Sequence, residues 1–325
     1  MTPNPRDITV PDAPAETPAI DARGLSLRFG EVVAVDAVDL HLAPGAVFGL
    51  LGPDGAGKST LIRLLASVLR PDAGDAEVFG HSVSTEPHLV TPRIGYMSQQ
   101  FSMYPDLTVA ENLEFFGTLR GVAPDDRRTR ARELLRSMGM TEFAGRQAQY
   151  LSGGMKQKLM LAATLMHEPD LLLLDEPTTG VDPVSRREFW RIIASLHQRG
   201  KTVLVATPYM DEAERCTHVA FMDSGAIRTS GTPAQVKTLV PGTLYEILAP
   251  DPRAALASIA EKPGVISAHL YGEVVRAIAE TGGPNAADLE ATLAQAGVAV
   301  DRVREARVDM EAAFAYLAEF GDGAS

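Results

Sequence analysis

Short apolar runs, punctuated by glycine and proline, dominate the chain from residue 21 onward. Val47-Phe48-Gly49-Leu50-Leu51 is apolar without alternation, which predicts a strand buried on both faces. Leu171-Leu172-Leu173-Leu174 and Val203-Leu204-Val205-Ala206 read the same way. Residues 59–69 carry a helical pattern that stops before Pro71. Buried strands alternating with helices predict an α/β fold with a mostly parallel sheet covered on both faces. This region is expected to span residues 21–235.

From about residue 240 the rhythm changes. Residues 244–248 read as a strand and 252–262 as a helix. Residues 265–270 and 273–279 pair as strands across Tyr271-Gly272. A helix over 286–296, a strand over 298–308 and a helix over 310–320 follow. The order βαββαβα predicts a small ferredoxin-like α/β unit over 240–325. At the other end, Pro3, Pro5, Pro11, Pro14 and Pro18 stand among small and acidic residues. Residues 1–20 are therefore expected to form a flexible arm. With no basic start leading into an apolar stretch, they do not read as a secretory signal.

The length of 325 residues fits about two domains. Thirty basic residues against 42 acidic give a net charge of −12, which repels phosphodiester backbones, so no nucleic-acid partner is expected. A single cysteine, Cys216, excludes an internal disulfide and fits a reducing compartment. No apolar run approaches the ~20 residues that span a bilayer. The chain is not expected to be a pore.

The chemistry starts at Gly52-Pro53-Asp54-Gly55-Ala56-Gly57-Lys58-Ser59, a P-loop pattern between a buried strand and a helix. Glycines let backbone N–H groups turn onto a polyphosphate, and the helix N-terminus adds positive potential. Lys58 would reach the β- and γ-phosphates and the Ser59 hydroxyl would meet Mg²⁺. Thr60 follows within the same nucleotide-binding segment. Further on, the strand at 171–174 ends in Asp175-Glu176. Asp175 is expected to hold Mg²⁺, and Glu176, pointing differently, to orient or deprotonate the attacking water.

Leu151-Ser152-Gly153-Gly154-Met155-Lys156-Gln157 precedes a helix and offers a second anion site. With this segment in place, residues 21–235 resemble the nucleotide-binding subunit of an ATP-binding-cassette (ABC) transporter: a RecA-like P-loop core plus a helical subdomain. The resemblance implies ATP and Mg²⁺ as ligands. It also implies that Ser152, Gly153 and Gly154 close on the ATP held by an opposite subunit. Phe29 resembles the family's adenine-stacking aromatic. Gln99, with Gln100 beside it, resembles the glutamine that senses Mg²⁺ and touches the membrane partner. Asp106-Leu107-Thr108-Val109 and Glu111-Asn112-Leu113 resemble the entry to the helical subdomain. Asp182, in Gly180-Val181-Asp182-Pro183, resembles the carboxylate of the loop that crosses between subunits.

Two positions depart from the family. Pro208 stands where a histidine usually contacts the γ-phosphate, and proline has neither a donor side chain nor an N–H. His197 and His218 are the nearest histidines in sequence, with no spacing argument for either. Asp54 stands where the family often has asparagine, adding negative charge at the loop lip. The tail and the segments 97–106 and 209–214 resemble ATP-binding subunits of ABC-2 type drug-efflux exporters. That implies an ATPase at the cytoplasmic face of the membrane, paired with a second ATP-binding subunit and with separate transmembrane permease subunits. Two alternatives stay open: a hydrolysis-weakened, nucleotide-gated dimerisation module, suggested by Pro208, and a soluble ABC ATPase acting on ribosomes or DNA. The single cassette and the negative charge disfavour the last.

Overall fold

The computed structural model describes residues 17–320. Residues 1–16, most of the expected arm, lie outside the described residues, as do 321–325. The chain divides into two compact units between Gly231 and Thr232.

In the first unit, β1 (Ile20–Phe29) and β2 (Val32–Leu42) form an antiparallel hairpin closed at Phe29 and Val32. β3 (Val47–Leu51) is buried throughout and leads to α1 (Lys58–Leu65). β4 (Ala73–Val78) and the short β5 (His81–Ser82) extend the hairpin into a four-stranded sheet of order β2-β1-β4-β5. α2 (Pro87–Val90) precedes β6 (Ile94–Met97). Three helices, α3 (Val109–Leu119), α4 (Pro124–Ser137) and α5 (Gly153–Leu165), pack on one another as a helical subdomain. Thr108 and Glu111 form a reciprocal capping box that starts α3. β7 (Leu171–Asp175), α6 (Pro183–Gln198), β8 (Thr202–Thr207), α7 (Met210–Ala213), β9 (His218–Asp223) and β10 (Ala226–Gly231) complete the unit.

The second sheet has the order β10-β9-β3-β8-β7-β6. Its strands β9, β3, β8, β7 and β6 run parallel, and β10 is an antiparallel edge. Ile20, Leu25, Leu50, Leu61 and Leu204 belong to one buried cluster, so both sheets of this unit share a core. The expected parallel sheet is present; the antiparallel one was not legible. β1 breaks register three times against β2, which scrambles the two-residue period that marks a half-buried strand.

Register decides the function-bearing edge. Leu51 lies opposite Thr207, and Asp175 opposite Ala206. The carboxyl ends of β3, β8 and β7 therefore finish side by side, where ligands of open α/β sheets bind. The α1 helix is shorter than the expected 59–69. Ser67 adopts φ 56° and the amides of Val68 and Leu69 both return to the Arg63 carbonyl, which ends the helix in a turn.

The second unit opens with α8 (Pro233–Lys237), capped reciprocally by Thr232 and Gln235. β11 (Thr243–Leu248), α9 (Pro252–Ala260), β12 (Val265–Tyr271), β13 (Val274–Ala279), α10 (Ala286–Gln295), β14 (Arg302–Ala306) and α11 (Met310–Phe320) follow. The sheet order β12-β13-β11-β14, antiparallel throughout, is the ferredoxin-like arrangement. Ile247, Val275, Ile259, Leu289 and Leu293 are fully buried between the sheet and α9 and α10. The strand expected over 298–308 is shortened. The Val298 amide closes α10 on the Leu293 carbonyl and only Asp301 begins bonding to Leu248, so the preceding residues are connection.

Candidate nucleotide-binding site

The loop from Gly52 to Gly57 leaves β3 at the carboxyl edge of the sheet and turns into α1. Gly57 has φ 103°, and a Cβ there would run into the Ala34 carbonyl of β2; only glycine fits. The Ala56 amide donates to the Pro53 carbonyl at 3.2 Å, and the Gly225 amide to the Ala56 carbonyl at 3.0 Å. These bonds shape the loop and tie it to the β9–β10 turn. Lys58 is buried, and its Nζ donates to the carbonyls of Gly52 (2.8 Å) and Pro53 (2.9 Å). Burial lowers the Lys58 pKa, against the pull of Glu176, Asp54 and Asp175. Pro53, Asp54 and Gly55 form the exposed lip, and Thr60 lies half-buried in the first turn of α1.

Two strands away, β7 delivers its carboxylates in different directions. Asp175 is fully buried, and its Oδ1 accepts the Ser59 hydroxyl at 2.8 Å. Its Oδ2 has no hydrogen-bond partner. Burial raises the Asp175 pKa, the Ser59 bond opposes this, and neighbouring Glu176 adds to it. A buried, half-satisfied carboxyl beside a hydroxyl fits a hard dication such as Mg²⁺. Among the described residues no group of three or more His, Cys, Asp or Glu could hold a metal. An ion at Ser59 and Asp175 would complete its shell with phosphate and water oxygens, as Mg²⁺ prefers.

Glu176 adopts φ 48° and its amide donates to the Ala206 carbonyl at 3.0 Å. Its Oε2 accepts from Gln99 Nε2 at 2.8 Å and from the Thr179 hydroxyl at 3.1 Å; Oε1 lies 4.0 Å from Lys58 Nζ. Gln99 thus rests on the acid and not on the Ser59–Asp175 pair.

The second glycine cluster sits at the start of α5. Ser152 caps that helix, its hydroxyl accepting from the Met155 amide at 3.4 Å. Gly154 is buried, and a Cβ there would lie 2.5 Å from the Ser185 side chain. The missing side chain lets the start of α5 abut the start of α6. Asp182 caps α6, its Oδ1 accepting from the amides of Val184 and Ser185, both at 3.0 Å. Those bonds, led by the Ser185 backbone, hold its carboxyl below the usual aspartate range. Phe29 stands at the β1–β2 turn, 52% exposed. The fold therefore gathers Lys58, Ser59, Gln99, Asp175 and Glu176 into one cluster and Ser152, Gly153, Gly154 and Asp182 into another.

Neither histidine replaces the one missing at position 208. His218 lies opposite Phe48 near the start of β3, and His197 ends α6 just before β8 begins. Both are at the amino end of the sheet, opposite the phosphate loop. Thr178, Thr179, Arg186 and Glu212 were not singled out from the sequence. Thr179 holds Glu176 directly, and the buried Glu212 accepts from Thr178, the residue before Thr179 in sequence. Inside Asp211-Glu212-Ala213-Glu214 nothing distinguishes the buried acid from its exposed neighbours.

Residues 35–179 match the family described as ABC transporter. The chain is 42% identical over 255 residues to the daunorubicin/doxorubicin resistance ATP-binding protein DrrA of Streptomyces peucetius, over 78% of this chain and 76% of that protein. It is 44% identical over 232 residues to the probable multidrug ABC transporter ATP-binding protein YbhF of Escherichia coli (strain K12), over 70% of this chain. The match spans 39% of the length of that relative and of its Shigella flexneri counterpart. Among solved structures, cbiO1 from Clostridium perfringens, part of an ABC transporter complex, superposes with a TM-score of 0.63 at 25% identity, over 69% of this chain and 92% of that one. A dimeric ATP-binding cassette in a post-hydrolysis state with ADP and Pi gives 0.60 at 25% identity, over 66% of this chain and 98% of that one. Its phosphate loop, its paired strand-end acids and these relatives together make the chain a member of the ABC transporter ATP-binding family.

Proposed function

We propose that this chain binds and hydrolyses ATP as the nucleotide subunit of an ABC exporter, and that separate membrane subunits carry the cargo. The reading is carried by the convergence of Lys58, Ser59, Asp175, Glu176 and Gln99 at one sheet edge. The names of the drug-resistance relatives support the export direction. No helix among the described residues is long and apolar enough to cross a membrane.

The amides of the glycine loop and the N-terminus of α1 grip the phosphates, and Phe29 stacks on the base. Lys58 turns from the Gly52 and Pro53 carbonyls to the β- and γ-phosphates. Ser59 and Asp175 would hold Mg²⁺, which would supply positive charge against the phosphate oxygens. Glu176 accepts the proton of the water attacking the γ-phosphorus, while the bridging oxygen leaves with ADP. Gln99, which donates to Glu176, orients the acid toward the water and reports to the membrane subunit. Ser152, Gly153, Gly154 and Asp182 seal the nucleotide held by a second subunit, identical or related. Closing the pair around ATP and reopening it after hydrolysis gives the membrane subunits two states to read. The first compact unit is the cassette and the second an accessory domain; the site of action is the cytoplasmic face of the membrane.

Sedimentation of the purified chain tests this reading. ATP without Mg²⁺, bound but not hydrolysed, converts the wild type to a dimer and leaves Lys58→Ala monomeric. ATP-induced dimerisation of Lys58→Ala equal to that of the wild type would remove the phosphate-loop assignment.

A further inference from the structure

Three acidic residues are buried among the described residues: Asp175, Glu176 and Glu212. The first two belong to the phosphate site. Glu212, on α7, is 1% exposed and touches none of its candidate groups directly. A buried acid is costly unless its oxygens are filled by donors, and here the donors come from three different segments. Glu212 Oε1 accepts from the Thr178 hydroxyl at 2.6 Å and from Arg186 Nε at 3.3 Å. Its Oε2 accepts from the Thr207 hydroxyl at 2.6 Å. The Thr207 oxygen in turn accepts from the Tyr209 amide at 3.1 Å, so it spans Pro208. Arg186 closes the cluster from outside, 2.9 Å from the Asp211 carboxyl and 3.9 Å over the Tyr209 ring.

The placement matters more than the burial. Thr178 is in the loop between Glu176 and Asp182. Thr207 ends β8 at the register of Leu51, the last residue before the phosphate loop. The residue between Thr207 and Tyr209 is proline, which offers no N–H to hold the turn. The threonine hydroxyl and Glu212 supply that tie. A hydrophobic residue of similar size would satisfy packing at such a site, often at no loss of stability. It would not join the two loops.

We infer that Glu212 is a positioning residue: through Thr178 and Thr207 it locks the loop that follows Glu176 to the Pro208 turn, fixing the general base against the phosphate edge. The inference rests on the ATPase reading above. Loss of the lock lets Glu176 drift, and a misplacement of about 1 Å costs up to about a hundredfold in turnover. Binding of ATP, which depends on the loop at 52–60, stays.

Steady-state phosphate release by the purified chain decides it, with Thr178→Val, Thr178→Ser and Glu212→Gln beside the wild type. Thr178→Val deletes one donor at nearly constant shape, so it keeps the test open if Glu212→Gln does not fold. Expected are a fall in kcat of about tenfold or more for Thr178→Val and Glu212→Gln, and a KM for ATP within about twofold of wild type. Thr178→Ser, which keeps the hydroxyl, retains most of the turnover. Turnover of Thr178→Val and Glu212→Gln within about twofold of an active wild type overturns the inference. So does a Thr178→Ser variant as slow as Thr178→Val, because side-chain shape and not the hydroxyl would then matter. Wild-type turnover at background instead overturns the ATPase reading, and the inference with it.

Discussion

Gln99 Nε2 donates to Glu176 Oε2 at 2.8 Å, joining the loop after β6 to the end of β7 through one side-chain pair. The Thr179 hydroxyl holds the same oxygen, while Oε1 faces Lys58. An acid held on both sides is oriented for a single task, and its φ of 48° is an uncommon backbone setting of the kind that clusters at functional sites. Glu176→Gln keeps the shape and removes the proposed proton acceptor. Its kcat is expected to fall by roughly a hundredfold or more, with ATP still bound and the ATP-induced dimer accumulating. Phosphate release and sedimentation on one preparation check both halves. Turnover near wild type would assign the proton to another group.

Asp175 gives a pH-dependent expectation. Its pKa is raised in the fold, first by burial, so the native state holds a desolvated charge that the unfolded chain does not. That penalty is complete above the folded pKa and fades as pH falls through it toward the ordinary value of about 4. Asp175→Asn therefore melts higher than the wild type near pH ~7 without nucleotide, and the gap closes toward pH ~4. The same variant loses the extra thermal shift that Mg²⁺ adds to ATP in the wild type. Thermal melts across pH, with and without MgATP, test both; a gap that widens on acidification would contradict the sign.

The phosphate loop, both strand-end acids and the glycine pair that starts α5 were legible because each is a run of consecutive residues with fixed chemistry. The ferredoxin-like tail was legible because its short apolar runs are separated by turn residues, and Gly272 marks one turn at φ 60°. What escaped was whatever depends on distant partners. The sheet β2-β1-β4-β5 hides behind broken registers, and Gln99 proved to lie on Glu176 only once β6 and β7 were paired. Glu212 could not be told from Asp211 by sequence, since its burial comes from Thr178 and Thr207, which lie in separate segments of the chain.

Gly57 is a test of the backbone in place of the side chains. At φ 103°, with the Ala34 carbonyl in the space a Cβ would need, alanine is opposed by torsion and by contact together. Gly57→Ala is expected to cost about 1–3 kcal/mol of stability, and to abolish ATP binding because the loop must open to relieve the clash. Urea titration gives the first quantity and nucleotide-dependent thermal shift the second. A variant as stable as the wild type would mean that the strand carrying Ala34 yields freely.

Pro208 sets the last expectation. It follows Thr207, which lies opposite Leu51, so position 208 stands one step beyond the strand ends, beside the start of the phosphate loop. Proline supplies neither a ring N–H nor a backbone N–H there, and His197 and His218 are at the other end of the sheet. On the proposed reading, charge that builds on the γ-phosphate in the transition state lacks one donor from this side. Pro208→His supplies it, and turnover is expected to rise by up to about tenfold, less than the full worth of a preorganised donor because the surrounding turn is shaped for proline. Replacing proline also frees the unfolded chain, at a cost of about 0.4–1 kcal/mol, which urea titration separates from the change in kcat. If the fold survives and kcat does not rise, the missing contact is already supplied by another group, and the Thr207–Glu212 tie across Pro208 becomes the place to look for it.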